Sequence, residues 1–212
     1  MQQEQQLLEG FEADQTPCRV DNLHRPDVRL RGFGFFLALT PATDAEKQFL
    51  FEHSRELHER FGISPERIQP ASRIHATILD LGRELEDDDL PAQITIDGAI
   101  AALAHVRLPA VPIRFTHVRG FAGNALTLRS EPADHQPFLH LRSIVTKLLK
   151  ERAGLQPRSN GQPHISLHYD LPQSIGEHSI EPIDWKAKRL ALILSHVGHG
   201  HHQILATWDL TK

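Results

Sequence analysis

A chain of 212 residues with 40% hydrophobic and 24% charged side chains has the balance of a folded globular protein, one domain or two closely packed lobes. No apolar run approaches the roughly 18 residues of a membrane-spanning helix, and a formal charge of −4 argues against a protein that coats long nucleic acid, although a local cluster of donors can still hold one phosphodiester. The single Cys18 excludes an internal disulfide and a cysteine-based metal site, and the Gln- and Glu-rich start lacks the features of a secretory signal, so a cytoplasmic setting is expected.

Residues 1–28 show no sustained periodicity and read as a flexible extension, while 29–212 read as a single folded unit. The run GFGFFLAL at 32–39 has strand length and closes at Thr40 and Pro41. Thr43 followed by Glu46 makes a capping-box pattern, and Leu50, Leu57 and Phe61 recur on one face before Gly62, which predicts a helix of about four turns. IHATILDL at 74–81 predicts a strand ending at Gly82, and 90–106 a second helix with Pro91 in its first turn. Two strand-like runs, 113–119 and 125–130, flank 120–124 as a hairpin. Asp134 then opens a helix running to about Ala153, with Leu141, Val145 and Leu148 at helical spacing and Gly154 as its stop. HISLHY is again a strand, and the alternating runs 190–197 and 204–210, joined through GHGHH, form a closing hairpin. Strands and helices mix without strict alternation, which favours an α+β architecture with antiparallel sheets. A long helix before each of the two strands that begin with His hints at two similar lobes.

Side chains alternate along a strand, so His75 and Thr77 share one face while Ala76 and Ile78 turn to the other, and His164 and Ser166 repeat the arrangement. Two imidazoles across a cleft, one neutral and one protonated, can deprotonate a nucleophile and protonate a leaving oxygen near neutral pH. The neighbouring hydroxyls would hold phosphate oxygens. Any single H-x-[ST] triplet is expected by chance among fifteen histidines; the weight lies in the pair, each on an apolar strand that follows a helix.

The motifs His75-Ala76-Thr77-Ile78 and His164-Ile165-Ser166-Leu167 resemble the paired H-x-[ST]-x motifs of the 2H phosphoesterases. The stretches QPHISLHYD, EPIDW and LILSHVGHGHHQILATWDL look like the bacterial 2′-5′ RNA ligase branch, also described as RNA 2′,3′-cyclic phosphodiesterases, and the likeness runs from about Arg31 to the end. The resemblance implies a bilobal fold, two antiparallel sheets related by a pseudo-two-fold with helices on their outer faces and a central cleft. It implies hydrolysis of 2′,3′-cyclic phosphate ends of RNA or nucleotides to 2′-phosphates, without metal or cofactor, as water attacks and the 3′ oxygen leaves. Carried over by position, His75 is the proton donor, His164 the proton acceptor, and Thr77 and Ser166 bind phosphate. Some members also join a 5′-hydroxyl RNA to the cyclic end without ATP, and no K-x-D-G nucleotidyl-transfer motif occurs here. Relatives often carry an Arg close before the second motif, where this chain has Gln162-Pro163, with Arg158 further back. The expected partners are RNA ends or small cyclic-phosphate nucleotides, and a monomer is the default.

Arg73, Arg119 and Arg158 are candidate substrate contacts, and Arg129 can add positive potential to the cleft. Phe35 and Phe36 read first as core, with Phe35 kept as a candidate contact. The cluster His196, His199, His201 and His202 reads as a solvated turn rather than a metal site, because it has no carboxylate or cysteine companions. His53 and His58, five apart, read as surface residues, and the acidic run at 86–89 as an exposed loop. The competing functions are a nucleotide-binding or RNA-end-binding module without turnover, and a metalloprotein built on the His-rich hairpin.

Overall fold

The computed structural model describes residues 33–84, 89–121, 124–159, 161–169, 171–196 and 201–211. The expected extension at 1–28, Cys18, His199 and most of the acidic run lie outside the described residues.

The first apolar run becomes β1 (Phe33–Thr40), buried along nearly all its length as a strand flanked on both edges should be. It lies between β2 (Ala76–Glu84) and β8 (Arg189–His196). With β9 (His201–Thr211) and the short β3 (Leu108–Pro109) these make a five-stranded sheet ordered β2-β1-β8-β9-β3, antiparallel except between β3 and β9. The second sheet, ordered β6-β5-β4-β7, is antiparallel throughout: β4 (Val111–Gly120), β5 (Leu126–Arg129), β6 (His164–His168) and β7 (Gly176–Ala187).

Helix α1 (Asp44–Arg60) starts where the capping pattern predicts: the Thr43 hydroxyl accepts the Glu46 N–H at 3.2 Å, and the Glu46 carboxylate turns back to accept the Ala42 N–H at 2.8 Å. Helix α2 (Asp89–Leu103) packs on α3 (Gln136–Ala153), and closely, since a Cβ added to Gly98 would stand 3.3 Å from the Ala153 Cβ. Gly154 ends α3 in the left-handed conformation, φ +67°, with its N–H returned to the last-turn carbonyls. The helices pack apolar faces such as Leu50, Leu57, Leu141 and Leu149 into a core that also takes Leu37, Leu39, Phe115 and Leu128 from the two sheets.

The two sheets meet edge to edge along the motif strands. The Gln69 N–H donates to the Leu167 carbonyl at 2.9 Å, and Asp80 and Arg158 exchange backbone hydrogen bonds of 2.8 and 2.7 Å. The edge strands β2 and β6 pack against each other at this seam, and each of these hydrogen bonds joins one of them to the segment that leads into the other.

Several boundaries differ from expectation for local reasons. β2 begins at Ala76 because residues 71–73 first coil into a short 3-10 turn. It passes through Gly82 to Glu84, with Gly82 at φ +125° and two register shifts against β1 absorbing the irregularity. The third helix enters through a 3-10 turn at Pro132–His135, so its α-helical part begins two residues after Asp134. β7 was not expected: Pro182 and an exposed, polar first half hide its pattern, and only Ile183, Trp185 and Ala187 alternate inward. β9 begins at His201, so His201 and His202 are strand residues paired with His196 and Ser195 rather than members of a turn. His58 is not a surface residue but fully buried, whereas His53 is half-buried with its Nδ1 hydrogen-bonded to the Glu56 carboxylate at 3.2 Å.

Candidate active site

Burial along the two motifs follows the expected alternation. Ala76, Ile78, Ile165 and Leu167 are buried, while His75, Thr77, His164 and Ser166 are half-buried on the cleft side. Each histidine is held in the same way, by the carbonyl two residues before it: His75 Nδ1 lies 2.7 Å from the Arg73 oxygen and His164 Nδ1 lies 3.0 Å from the Gln162 oxygen. A carbonyl can only accept, so Nδ1 carries the hydrogen in both rings and Nε2 is left for the cleft. With that nitrogen bare an imidazole is a base, and with it protonated an acid; one geometry serves both roles.

Burial lowers the His75 pKa below its ordinary value; the Arg73 carbonyl opposes this, and positive charge on His164 adds to the lowering. The rings that wall His75 from water are Phe36, at a centroid distance of 5.1 Å, and His202, at 5.2 Å and nearly perpendicular.

Cross-strand register organises the rest of the site, since directly paired antiparallel residues share a face. On the second sheet one row reads His164, Arg129, His117, Ser179, and the next reads Ser166, Thr127, Arg119, Glu177. Both arginines therefore stand beside the second motif. Arg129 Nε donates to the Thr127 hydroxyl at 3.1 Å, which itself donates to the Arg119 carbonyl at 3.1 Å. Burial, then the Arg119 charge, presses the Arg129 pKa down, and Glu177 pulls it back up; an arginine still keeps its proton. Arg119 lies 3.8 Å from Glu177 and over the Phe121 ring.

On the first sheet the inner face carries the rows Thr77, Ala38, Ala191, Thr207 and Asp80, Phe36, Ile193, Ile204. Phe35, kept as a candidate contact, faces the other way and is 4% exposed within the core, and it is its neighbour Phe36 that packs on the His75 ring. Arg73 supplies the carbonyl for His75 and lines a recess of about 320 Å³ beside it, together with Lys47, Arg189, His75 and His202. Arg158 bridges Asp80 through its backbone at the seam, and its side chain is exposed. The sequence alone does not point to Lys47, Arg189, His202, Thr127 and His117 as neighbours of the site, because strand pairing brings the last four there and the packing of α1 brings Lys47.

β6 ends on a second imidazole pair. His58 Nδ1 donates to the Ser54 carbonyl at 2.6 Å, so its bare Nε2 accepts from His168 Nδ1 at 3.2 Å. Both rings are 1% exposed, and burial lowers the His58 pKa. This bond ties α1 to the strand carrying His164 and Ser166. Among the described residues no group of three or more His, Cys, Asp or Glu side chains is arranged to hold a metal ion, and no helix is long and apolar enough to cross a membrane.

Neither a protein-family model nor a curated protein sequence matches the chain. Solved structures do. E. coli LigT in complex with NADP+ aligns over 87% of this chain and 99% of its own, with TM-score 0.57 and 20% identity. A phosphoesterase crystal structure aligns over 84% and 99%, with TM-score 0.56 and 20% identity. TT0787 of Thermus thermophilus aligns over 84% and 97%, with TM-score 0.51 and 20% identity. The two sheets, their helices and their shared seam give this chain an α+β fold like that of E. coli LigT.

Proposed function

We propose that the protein is a 2H phosphoesterase that opens 2′,3′-cyclic phosphate ends of RNA or nucleotides to 2′-phosphates. A water oxygen attacks phosphorus while His164 Nε2 takes its proton. The bond from phosphorus to the 3′ oxygen breaks, and His75 Nε2–H delivers a proton to that oxygen. Thr77 and Ser166 donate hydroxyl hydrogens to the non-bridging oxygens, and Arg119 and Arg129 add positive charge where the transition state gathers negative charge. The imidazoles carry both proton transfers themselves, so the scheme calls for no metal. With a 5′-hydroxyl RNA in place of water, the same transfers yield a 2′-5′ linkage.

The observation that carries this reading is the matched anchoring of His75 and His164, each presenting Nε2 beside a hydroxyl on the facing edges of two sheets. E. coli LigT, of the same fold, has been solved with 3′-AMP and with NADP+, which supports a nucleotide-bearing substrate. Burial favours a neutral His75, and an anionic phosphate beside it favours its protonation, so substrate binding itself charges the donor.

The test is turnover of 2′,3′-cyclic mononucleotides and cyclic-ended oligonucleotides, with the phosphate position of the product determined. His75→Ala and His164→Ala each lower turnover by about 10²-fold or more, as loss of a general acid or base does. Undiminished activity in either variant would falsify the assignment, and ligand binding without turnover in the wild type would leave a binding module in its place.

A further inference from the structure

Both histidines lean on the carbonyl two residues before them, but the two carbonyls are held by different means. The Arg73 carbonyl belongs to the short 3-10 turn at Ala71–Arg73, which closes on itself: the Arg73 N–H donates to the Pro70 carbonyl at 2.8 Å and the Ile74 N–H to the Ala71 carbonyl at 3.4 Å. The Gln162 carbonyl has no such turn behind it. Gly161 and Gln162 are exposed, Gly161 stands at φ +51°, and among the described residues neither makes a hydrogen bond to another backbone group. What reaches this segment is a side chain from α3: Arg142 donates through a terminal guanidinium nitrogen to the Gly161 carbonyl at 2.6 Å. The guanidinium is itself seated, 5.6 Å from the centre of the Phe138 ring one helical turn earlier, and Phe138 is fully buried. Burial also presses the Arg142 pKa down, and an arginine so placed still keeps its proton and all its donors.

A bond on the Gly161 carbonyl governs the next carbonyl as well. It fixes the plane of the peptide that joins Gly161 to Gln162. Pro163 then limits Gln162 to extended backbone and has no N–H with which to make a competing bond. With the plane before it held and its own ψ restricted, the Gln162 carbonyl is aimed at His164 Nδ1, 3.0 Å away. Resting on the reading above, we propose that Arg142 is a positioning residue for His164: through the Gly161–Gln162 peptide it keeps the hydrogen on Nδ1 and so leaves Nε2 bare for the attacking water. Without it the segment turns, water competes for the Gln162 carbonyl, and a neutral His164 divides between its two tautomers, one of which carries its hydrogen on Nε2 and cannot act as a base there. The groove that Arg142 lines is shared with Leu79, Lys147 and Lys150, so its effect on the reaction passes through the backbone and not through the substrate. Arg142 does for the second motif what the 3-10 turn does for the first.

The test is Arg142→Met, which keeps an apolar stem over Phe138 and removes every donor, beside Lys150→Ala, which takes a charge from the same groove and leaves the Gly161 bond intact. On a 2′,3′-cyclic nucleotide Arg142→Met lowers kcat about tenfold and leaves KM within about twofold, because the fraction of competent base falls while binding does not. Lys150→Ala leaves both constants as they are. Nitrogen-15 NMR of histidine-labelled protein at about pH 8, where histidine is neutral, reads the tautomer directly. His164 carries its hydrogen on Nδ1 in the native chain and divides between Nδ1 and Nε2 in Arg142→Met, whereas His75, held by its own turn, is unchanged. A fall confined to KM, a His164 tautomer as fixed in Arg142→Met as in the native chain, or an equal disturbance of His75 overturns the proposal. Should Arg142→Met not fold, Arg142→Lys makes the same test, since one ammonium on a flexible stem cannot hold the peptide plane as the planar fork does; an undisturbed His164 there overturns the proposal too. Should no cyclic substrate turn over in the native chain, the enzymatic reading fails, and the NMR comparison, which needs no turnover, still decides the role of Arg142.

Discussion

Thr127→Val is the sharpest perturbation of the second-sheet face, because it removes one oxygen and keeps the shape of the side chain. Thr127 is 7% exposed and its hydroxyl both accepts from Arg129 Nε and donates to the Arg119 carbonyl, each at 3.1 Å. A hydrogen bond from a charged donor contributes about 1.5–3 kcal/mol and a neutral one about 1 kcal/mol. Arg129 is half-exposed, so water replaces part of the lost contact and the net cost is about 1–2 kcal/mol. For a chain of this size each kcal/mol lowers Tm by roughly 2–4 °C. The larger consequence is for the substrate. With its hydroxyl partner gone, Arg129 samples other rotamers, and the row that also carries His164 loses a fixed charge. We expect kcat/KM on a 2′,3′-cyclic nucleotide to fall about tenfold, mostly through KM, with near-native far-UV dichroism. A variant that loses stability but keeps its kcat/KM would show that Arg129 does not meet the substrate, and would refute the role given to this row.

The pH profiles offer a second check: the basic limb of kcat/KM, which reports the free enzyme, should lie at lower pH than that of kcat, because burial lowers the His75 pKa and the bound anion raises it; superimposed limbs would contradict this. His58 is held neutral by burial when folded, whereas an unfolded histidine titrates near 6.5. Stability should therefore be full above about pH 6.5 and fall as pH drops below it, and His58→Gln should flatten that fall in thermal denaturation; a variant with the same slope would acquit His58. Gly120→Ala places a Cβ 2.4 Å from a Leu171 methyl, so urea denaturation should show a loss of about 1–3 kcal/mol, and a neutral result would mean the segment around Leu171 yields freely. Activity should persist in excess chelator, and its loss would return attention to the His-rich hairpin.

The sequence by itself determined what short periods encode. Alternation at 75–78 and 164–167 set which side chains share a face, the Thr43 and Glu46 spacing set where α1 begins, and the chemistry of paired imidazoles and hydroxyls followed from residue type. The tertiary structure decided everything that depends on which strand lies beside which. Register against β1 turned Phe36 to the cleft and Phe35 to the core, and pairing of β4 with β5 lined Arg119 and Arg129 up with the second motif. The same holds for His202, drawn from an apparent turn into β9, and for His58, whose partner His168 is 110 positions away. A period of two or of 3.6 residues fixes orientation within one element; contacts between elements far apart in the chain leave no such local trace, so the two histidines were legible at once, Arg73, Arg119 and Arg129 only as candidates, and Lys47 and Arg189 not as neighbours of the site at all.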